Sequence, residues 1–314
     1  MQRSSIILGD HDLKNKHVVI IGVGGTGCTV AQLLARYGIS LTLIDRDIVE
    51  KHNLERQTLF SKDDIGKAKV FVAKEKLKHF TNVSLYFEDC NEDSINKQIS
   101  KNTDLIIDCT DNNETRLVIN DFCKKNKLPW IYSAAVERKG AFAFMNAMQP
   151  DHACFQCFNE EKYGETCNEV GVLNSTVSAI ASFVVDNAIN YLVFGKFDND
   201  LFHLNLATQT LVRAKLKQNP KCQACKGNYL YLDGKKTKQI IRLCGNERFS
   251  LQTKKPIDLN ELEKILKKQN MKIKKSEYAL KTDDFLIFSH GRIVVTAKTK
   301  EEAKKKYDEV LGFL

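Results

Sequence analysis

Residues 18–27, VVIIGVGGTG, carry an apolar strand directly into Gly22, Gly24, Gly25 and Gly27, and apolar positions at helical spacing follow over 26–37. A strand, a glycine turn and a helix start in that order aim backbone amides and a helix N-terminus at phosphate groups. Asp45 closes the next apolar run, SLTLID (40–45), 18 residues after Gly27, where a carboxylate can accept hydrogen bonds from ribose hydroxyls. These two features predict a nucleotide. NAD, FAD, S-adenosylmethionine and ATP all satisfy them.

Outward from this stretch, VSLYFE (83–88), DLIIDC (104–109) and WIYSAA (130–135) alternate with helical patterns over 66–79 and 112–127. Such alternation predicts βαβ units, hence an α/β fold with a Rossmann-like, mostly parallel sheet and flanking helices. GAFAFMNA (140–147) reads as a further strand, 174–194 as a mostly apolar buried helix, and 201–206 and 209–216 as two more strands. After about residue 236 the texture changes to short strands and two lysine-rich helices. Asp258 with Glu261, and Thr299 with Glu302, are spaced as capping boxes, with Ile257 and Leu262 placed as a hydrophobic staple. FLIFS and RIVVTA flank Ser289-His290-Gly291 as a hairpin. The division expected is a nucleotide-binding domain over 1–236 and a small basic α+β domain over 237–314.

The composition supports a folded, soluble chain. Of 314 residues 43% are hydrophobic and 28% charged, with only 4 Pro and 16 Gly, which excludes collagen-like, low-complexity and mostly disordered classes. Neither long uncharged stretch reads as a membrane span: 17–35 holds four glycines and 170–185 is too short. The opening MQRSSIILGDHD has acids where an export signal needs an apolar core, so a cytoplasmic location with reduced cysteines is expected. Residues 211–314 carry 25 Lys+Arg against 12 Asp+Glu. That excess suits an acidic protein partner or RNA, or simply a solvated lysine-rich surface.

Charge narrows the choice of nucleotide. Asp45-Arg46-Asp47 is followed by Asn53-Leu54-Glu55-Arg56-Gln57 and Gly66-Lys67-Ala68-Lys69, which put cations close after the second strand. Backbone amides suffice for a bridging diphosphate, whereas a triphosphate and its leaving pyrophosphate call for more positive charge. Arg56 as a planar fork and Lys69 as a point charge supply it. On spacing alone Lys69 is equally a solvated helix lysine and Arg56 a surface arginine. Asp111, just beyond the fourth strand in Asp108-Cys109-Thr110-Asp111-Asn112, is placed to hold magnesium, to cap the helix over 112–127, or to do both.

Cys154-Phe-Gln-Cys157 and Cys222-Gln-Ala-Cys225 have the two-residue gap that lets both thiolates of a turn face one tetrahedral metal. Together they make the four ligands of a closed structural zinc site; the competing readings are two redox motifs or chance. Cys28, Cys90, Cys109 and Cys123 fall on apolar faces and read as small buried hydrophobes.

GVGGTG, LIDRDIVEKHNLERQ, GKAK, DCTDN and the two C-x-x-C pairs, in this order over roughly residues 5–230, resemble the ThiF/MoeB adenylyltransferases of the ubiquitin-activating superfamily. The resemblance implies that ATP adenylates the C-terminal glycine of a ubiquitin-like or sulfur-carrier protein ending in Gly-Gly, releasing pyrophosphate and leaving an acyl-adenylate for a sulfur nucleophile. It further implies a homodimer, a four-cysteine zinc site, Asp45 on the ribose, Asn53, Arg56 and Lys69 on the phosphates, and Asp111 on magnesium; Asp47 and Gln57 join the nucleotide-contacting set. Cys167, in ETCNEVGVL, matches a cysteine that in some members links covalently to the activated partner or its sulfur. Arg3 is offset from the family's N-terminal arginine, which reaches the partner subunit's site. CGNER, around Cys244, is similar to a rhodanese loop, but no helix pattern follows it, so a separate protein is expected to donate sulfur. The competing functions are a tRNA-modifying dehydratase of the same superfamily, an adenylyltransferase acting on a short peptide, and a nicotinamide-dependent oxidoreductase, which would leave Arg56, Lys69 and Asp111 without a task.

Overall fold

The strand at the centre of the larger sheet is β1 (His17–Ile21), whose Val18, Val19, Ile20 and Ile21 are all buried. A run apolar on both faces is what a parallel strand covered by helices on either side requires. In the computed structural model, residues 5–9, 11–149, 151–159, 171–236, 240–242, 247–253 and 255–313 are described. A short helix, α1 (Ser5–Leu8), precedes β1. The chain continues through α2 (Gly25–Arg36), β2 (Ser40–Ile44), α3 (Lys69–Leu77), β3 (Val83–Tyr86), α4 (Ile95–Gln98), β4 (Leu105–Asp108), α5 (Asn113–Asn126), β5 (Trp130–Val136) and β6 (Lys139–Met145). After α6 (Phe155–Phe158) and α7 (Asn174–Phe194), β7 (Asp200–Asn205) and β8 (Thr210–Lys215) complete the sheet.

The spatial order is β3-β2-β1-β4-β5-β6-β7-β8. Strands β1 to β5 pair in parallel, and β5 to β8 pair in antiparallel fashion. The chain reverses direction across the sheet between β1 and β4, so a crevice opens at their carboxyl ends, where doubly wound sheets take their ligands. α7 meets the sequence expectation at both ends. By length and apolarity it is long enough to cross a membrane, but Val177, Ile180, Ala181, Val184, Ala188 and Ile189 are buried in the core that α2 shares with the sheet.

The helix expected from residue 66 begins instead at Lys69. Val49 N–H donates to Lys67 O and Lys69 N–H to Asp47 O, and Ile48 forms an antiparallel bridge with Ala68, so 66–68 are drawn out of the helix into extended pairing. Gly66, at φ +89°, makes the turn into it.

A second, antiparallel sheet has the order β11-β12-β13-β14-β10-β9. Its strands are β9 (Ile240–Arg242), β10 (Arg248–Gln252), β11 (Lys274–Lys275), β12 (Ala279–Lys281), β13 (Phe285–Phe288) and β14 (Arg292–Thr296), with α8 (Leu259–Lys268) and α9 (Lys300–Leu311) packed on it. The expected hairpin is β13 and β14, turned at Gly291 with φ +96°. Ile257 and Leu262 share the core as a staple would place them. The capping boxes form by half: Asp258 and Thr299 each cap their helix, but the Glu302 carboxylate takes Lys298 N–H rather than that of the cap residue.

Candidate active site

Three strand ends converge on the crevice. At the end of β1, Gly22 adopts φ +91°, and a Cβ there would lie 2.7 Å from Cys109 O; one at Gly27 would lie 1.9 Å from Gly22 O. These two glycines let the turn, the helix start and the β4 loop close on one another. Gly25 touches Val177, while Gly24 faces open space. No side chain caps α2 among the described residues, so its leading amides are left to an anion.

At the end of β2, Asp45 accepts from Val23 N–H at 2.6 Å and Asp47 N–H at 2.7 Å, which ties the glycine turn to the cationic segment. Burial raises the Asp45 carboxyl above the ordinary carboxylate range, against the pull of Lys69. Lys69 is 5% exposed, which excludes the solvated-lysine reading, and its Nζ lies 3.2 Å from Asp47 Oδ2. Burial opposes its charge, but Asp45 and Asp47 hold it protonated above the usual lysine range. Burial likewise pushes Asp47 up, and Lys69, Arg292 and Arg46 overcome this to keep it ionised well below the carboxylate range. Arg46 turns away, gripping both oxygens of Asp89 at 2.6 and 2.8 Å.

Asn53 and Gln57 are buried in the following turn. Asn53 Oδ1 accepts Glu50 N–H, and Gln57 Oε1 has no hydrogen-bond partner among the described residues. Arg56 is half-exposed, its Nη1 donates to His52 O, and it makes no ion pair among the described residues. At the end of β4, Asn112 and not Asp111 caps α5, accepting Thr115 N–H at 2.8 Å. Asp111 is exposed beside the crevice, and the capping alternative falls away.

Sequence reasoning missed the pair that shapes this loop. Asp108 is fully buried and bonded by Arg116 at 3.1 Å, and Arg116 also donates to Thr110 O and to Ser133 O at 3.0 Å. It also missed Arg292, which reaches Asp47 Oδ1 from β14. The spacing of Arg116 from DCTDN offered a weak signal for the first; nothing local signals the second. Cys167 and Arg3 lie outside the described residues, as does Cys244.

The sulfurs of Cys154, Cys157, Cys222 and Cys225 lie within 4.8 Å of one another. Four of the six separations are shorter: 3.5 Å for Cys154 to Cys222, Cys154 to Cys225 and Cys157 to Cys225, and 3.8 Å for Cys154 to Cys157. Bonds of about 2.3 Å to a tetrahedral metal put sulfurs about 3.8 Å apart, so the set fits a four-coordinate thiophilic ion. Two fully buried residues of α5 hold it: Asn120 accepts Phe155 N–H, and Asp121 accepts Gln156 Nε2–H and Tyr231 N–H. Cys28, Cys90 and Cys123 are buried as expected, and Cys109 half-buried.

The ThiF family model matches residues 6–224. The chain is 28% identical to the sulfur carrier protein ThiS adenylyltransferase of Bacillus subtilis, over 97% of this chain and 95% of that one. It is 33% identical to the molybdopterin-synthase adenylyltransferase of Escherichia coli, over 69% and 90% of the two chains. Among solved structures, Escherichia coli MccB with ATP matches in fold at a TM-score of 0.61 and 24% identity, over 70% of this chain and 68% of that one.

Proposed function

The chain belongs to the ThiF family, and from that premise we propose that it adenylates the C-terminal glycine of a ubiquitin-like or sulfur-carrier protein with ATP, readying that tail for a thiocarboxylate or thioester. The observation that carries this reading is the meeting, at the ends of β1, β2 and β4, of an uncapped glycine-rich helix start, the buried Lys69 beside Asp45, and the exposed Asp111. Relatives named as a sulfur carrier protein adenylyltransferase and a molybdopterin-synthase adenylyltransferase support it.

In this reading the amides of the glycine turn take phosphate oxygens, and Asp45 takes the ribose. Arg56 and Lys69 draw charge from the triphosphate as the partner's carboxylate attacks the α-phosphorus and pyrophosphate leaves. Asn53 and Gln57 would face the phosphate side, where their side-chain N–H groups can donate to phosphate oxygens. Asp111 would hold magnesium, which shields the anionic oxygens when bound. The cysteine cluster would hold zinc in a structural role, since four thiolates leave no position for water. Cys167 is the candidate acceptor of the activated partner or its sulfur, and a separate protein would donate the sulfur. We place the reaction in the cytoplasm, on a homodimer.

Neither the nicotinamide nor the tRNA-dehydratase alternative is favoured by these relatives. The test is ATP–pyrophosphate exchange with each small β-grasp protein ending in Gly-Gly from the same cell, and tRNA in parallel. Exchange that depends on one such protein supports the reading; tight NADH binding without ATP turnover overturns it.

A further inference from the structure

Asp47 stands between two buried cations from different parts of the chain. Lys69 Nζ takes its Oδ2, and Arg292 Nη1, from β14 of the second sheet, takes its Oδ1. Arg292 is 3% exposed, donates from Nε to Ser250 Oγ at 2.9 Å, and lies over the Phe288 ring. It is therefore aimed, not merely nearby.

The surface that delivers it is apolar and interlocked. Ala279, Phe288 and Val294 are buried against Ile48 and Phe87 of the larger sheet's unit. Tyr278 stacks on Phe71 with centroids 5.4 Å apart, and His290 meets Phe87 edge-on at 4.8 Å. His290 Nε2 also lies 3.3 Å from Arg46 O. Beside Phe71 and Phe87, the contact includes residues 46–48, immediately after Asp45, so the second unit touches the larger one at the rim of the crevice.

We propose that Arg292 is a positioning residue for ATP: by occupying one oxygen of Asp47 it keeps that carboxylate from monopolising Lys69, and so couples docking of the C-terminal unit to nucleotide binding. The proposal rests on the functional reading above. Without Arg292, Lys69 is the one cation left in direct ion-pair contact with Asp47 among the described residues, with Arg46 acting from farther off, and each triphosphate oxygen must compete with an undivided carboxylate for the Lys69 ammonium. A guanidinium fork suits the shared role, because one nitrogen holds Ser250 while another holds Asp47.

The test is direct ATP affinity of the full chain, measured with ATP itself, for wild type, Arg292→Met, Arg292→Lys, Asp47→Asn and the Arg292→Met/Asp47→Asn double variant. Arg292→Met is expected to weaken ATP binding about tenfold and Arg292→Lys less, while in the Asp47→Asn background loss of Arg292 changes affinity less than about twofold. In exchange assays the loss is expected in the KM for ATP, with kcat nearly kept. Should Arg292→Met fail to fold, Ser250→Ala, which frees the guanidinium without changing charge, is expected to weaken binding about two- to threefold. Equal losses in both Asp47 backgrounds, or ATP affinity in Arg292→Met within twofold of wild type, overturn the coupling alone. A wild-type chain that binds no ATP overturns the functional reading and the coupling with it.

Discussion

The cysteine cluster and the crevice are both polar constellations in one sheet's surroundings, yet they are finished to different degrees. At the cluster four sulfurs face each other, and the flanking amides are bonded to Asn120 and Asp121. At the crevice, helix amides stand without a side-chain cap, and among the described residues the ion pairing of Lys69 is with a carboxylate. The first arrangement suits one thiophilic ion; the second suits an anionic ligand. The contrast separates holding the fold from doing chemistry, and it can be attacked from either side.

The largest effect is expected at the cluster. Cys225→Ser, or stripping metal with a chelator, should lower the melting temperature by at least about 10 °C, because binding to a structural thiolate site is folding free energy. Elemental analysis should show about one equivalent of zinc in the wild type and less than half in the variant. Unchanged melting would erase the distinction drawn here. In the crevice, Asp111→Asn should cost at least about 10²-fold in pyrophosphate exchange with melting preserved, since Asn112 caps α5. Wild-type exchange would remove Asp111 from the chemistry. Lys69→Ala and Arg56→Ala should each cost about 10²- to 10³-fold, the scale for one preorganised charge. Normal exchange in both would leave the crevice a binding surface only.

The smallest effect concerns His290, where burial lowers the pKa below its ordinary value, helped by Arg292 and opposed by the Arg46 carbonyl, Asp89 and Asp47. The unfolded chain therefore takes up the proton first. The contribution of His290 to stability is present above pH 6.5 and is lost as pH falls through the lowered value. His290→Gln should flatten this acid limb by about 2 °C in melting between pH 7 and 5.5. Identical limbs would show that this contact does not sense protonation.

What the sequence disclosed, it disclosed through short-range pattern. The glycine turn, β1 to β5, α7 and the two C-x-x-C pairs all have signals within a few residues, because each depends on local backbone geometry or on alternation that burial enforces. All eight strands of the larger sheet begin and end within two residues of their expected limits. The site's charged groups were legible as types but not as partners. Lys69 looked the same as a solvent-facing lysine until the 47–49 segment paired with 66–69 and buried it. Arg116, Asp108, Asn120 and Asp121 sit in a helix and a strand whose periodicity announces packing and says nothing of ion pairs. Arg292 is 245 positions from Asp47, and only the docking of two sheets brings them together.

Helix α5 joins the two constellations. Its cap, Asn112, follows Asp111 at the crevice, and eight positions on, or about 12 Å at helical rise, Asn120 and Asp121 grip the segments that carry the sulfurs. A rigid rod with one end clamped transmits tilt to the other, so slackening at the thiolates would displace the acid at the far tip. Metal supply would then set the aim of a carboxylate it never touches.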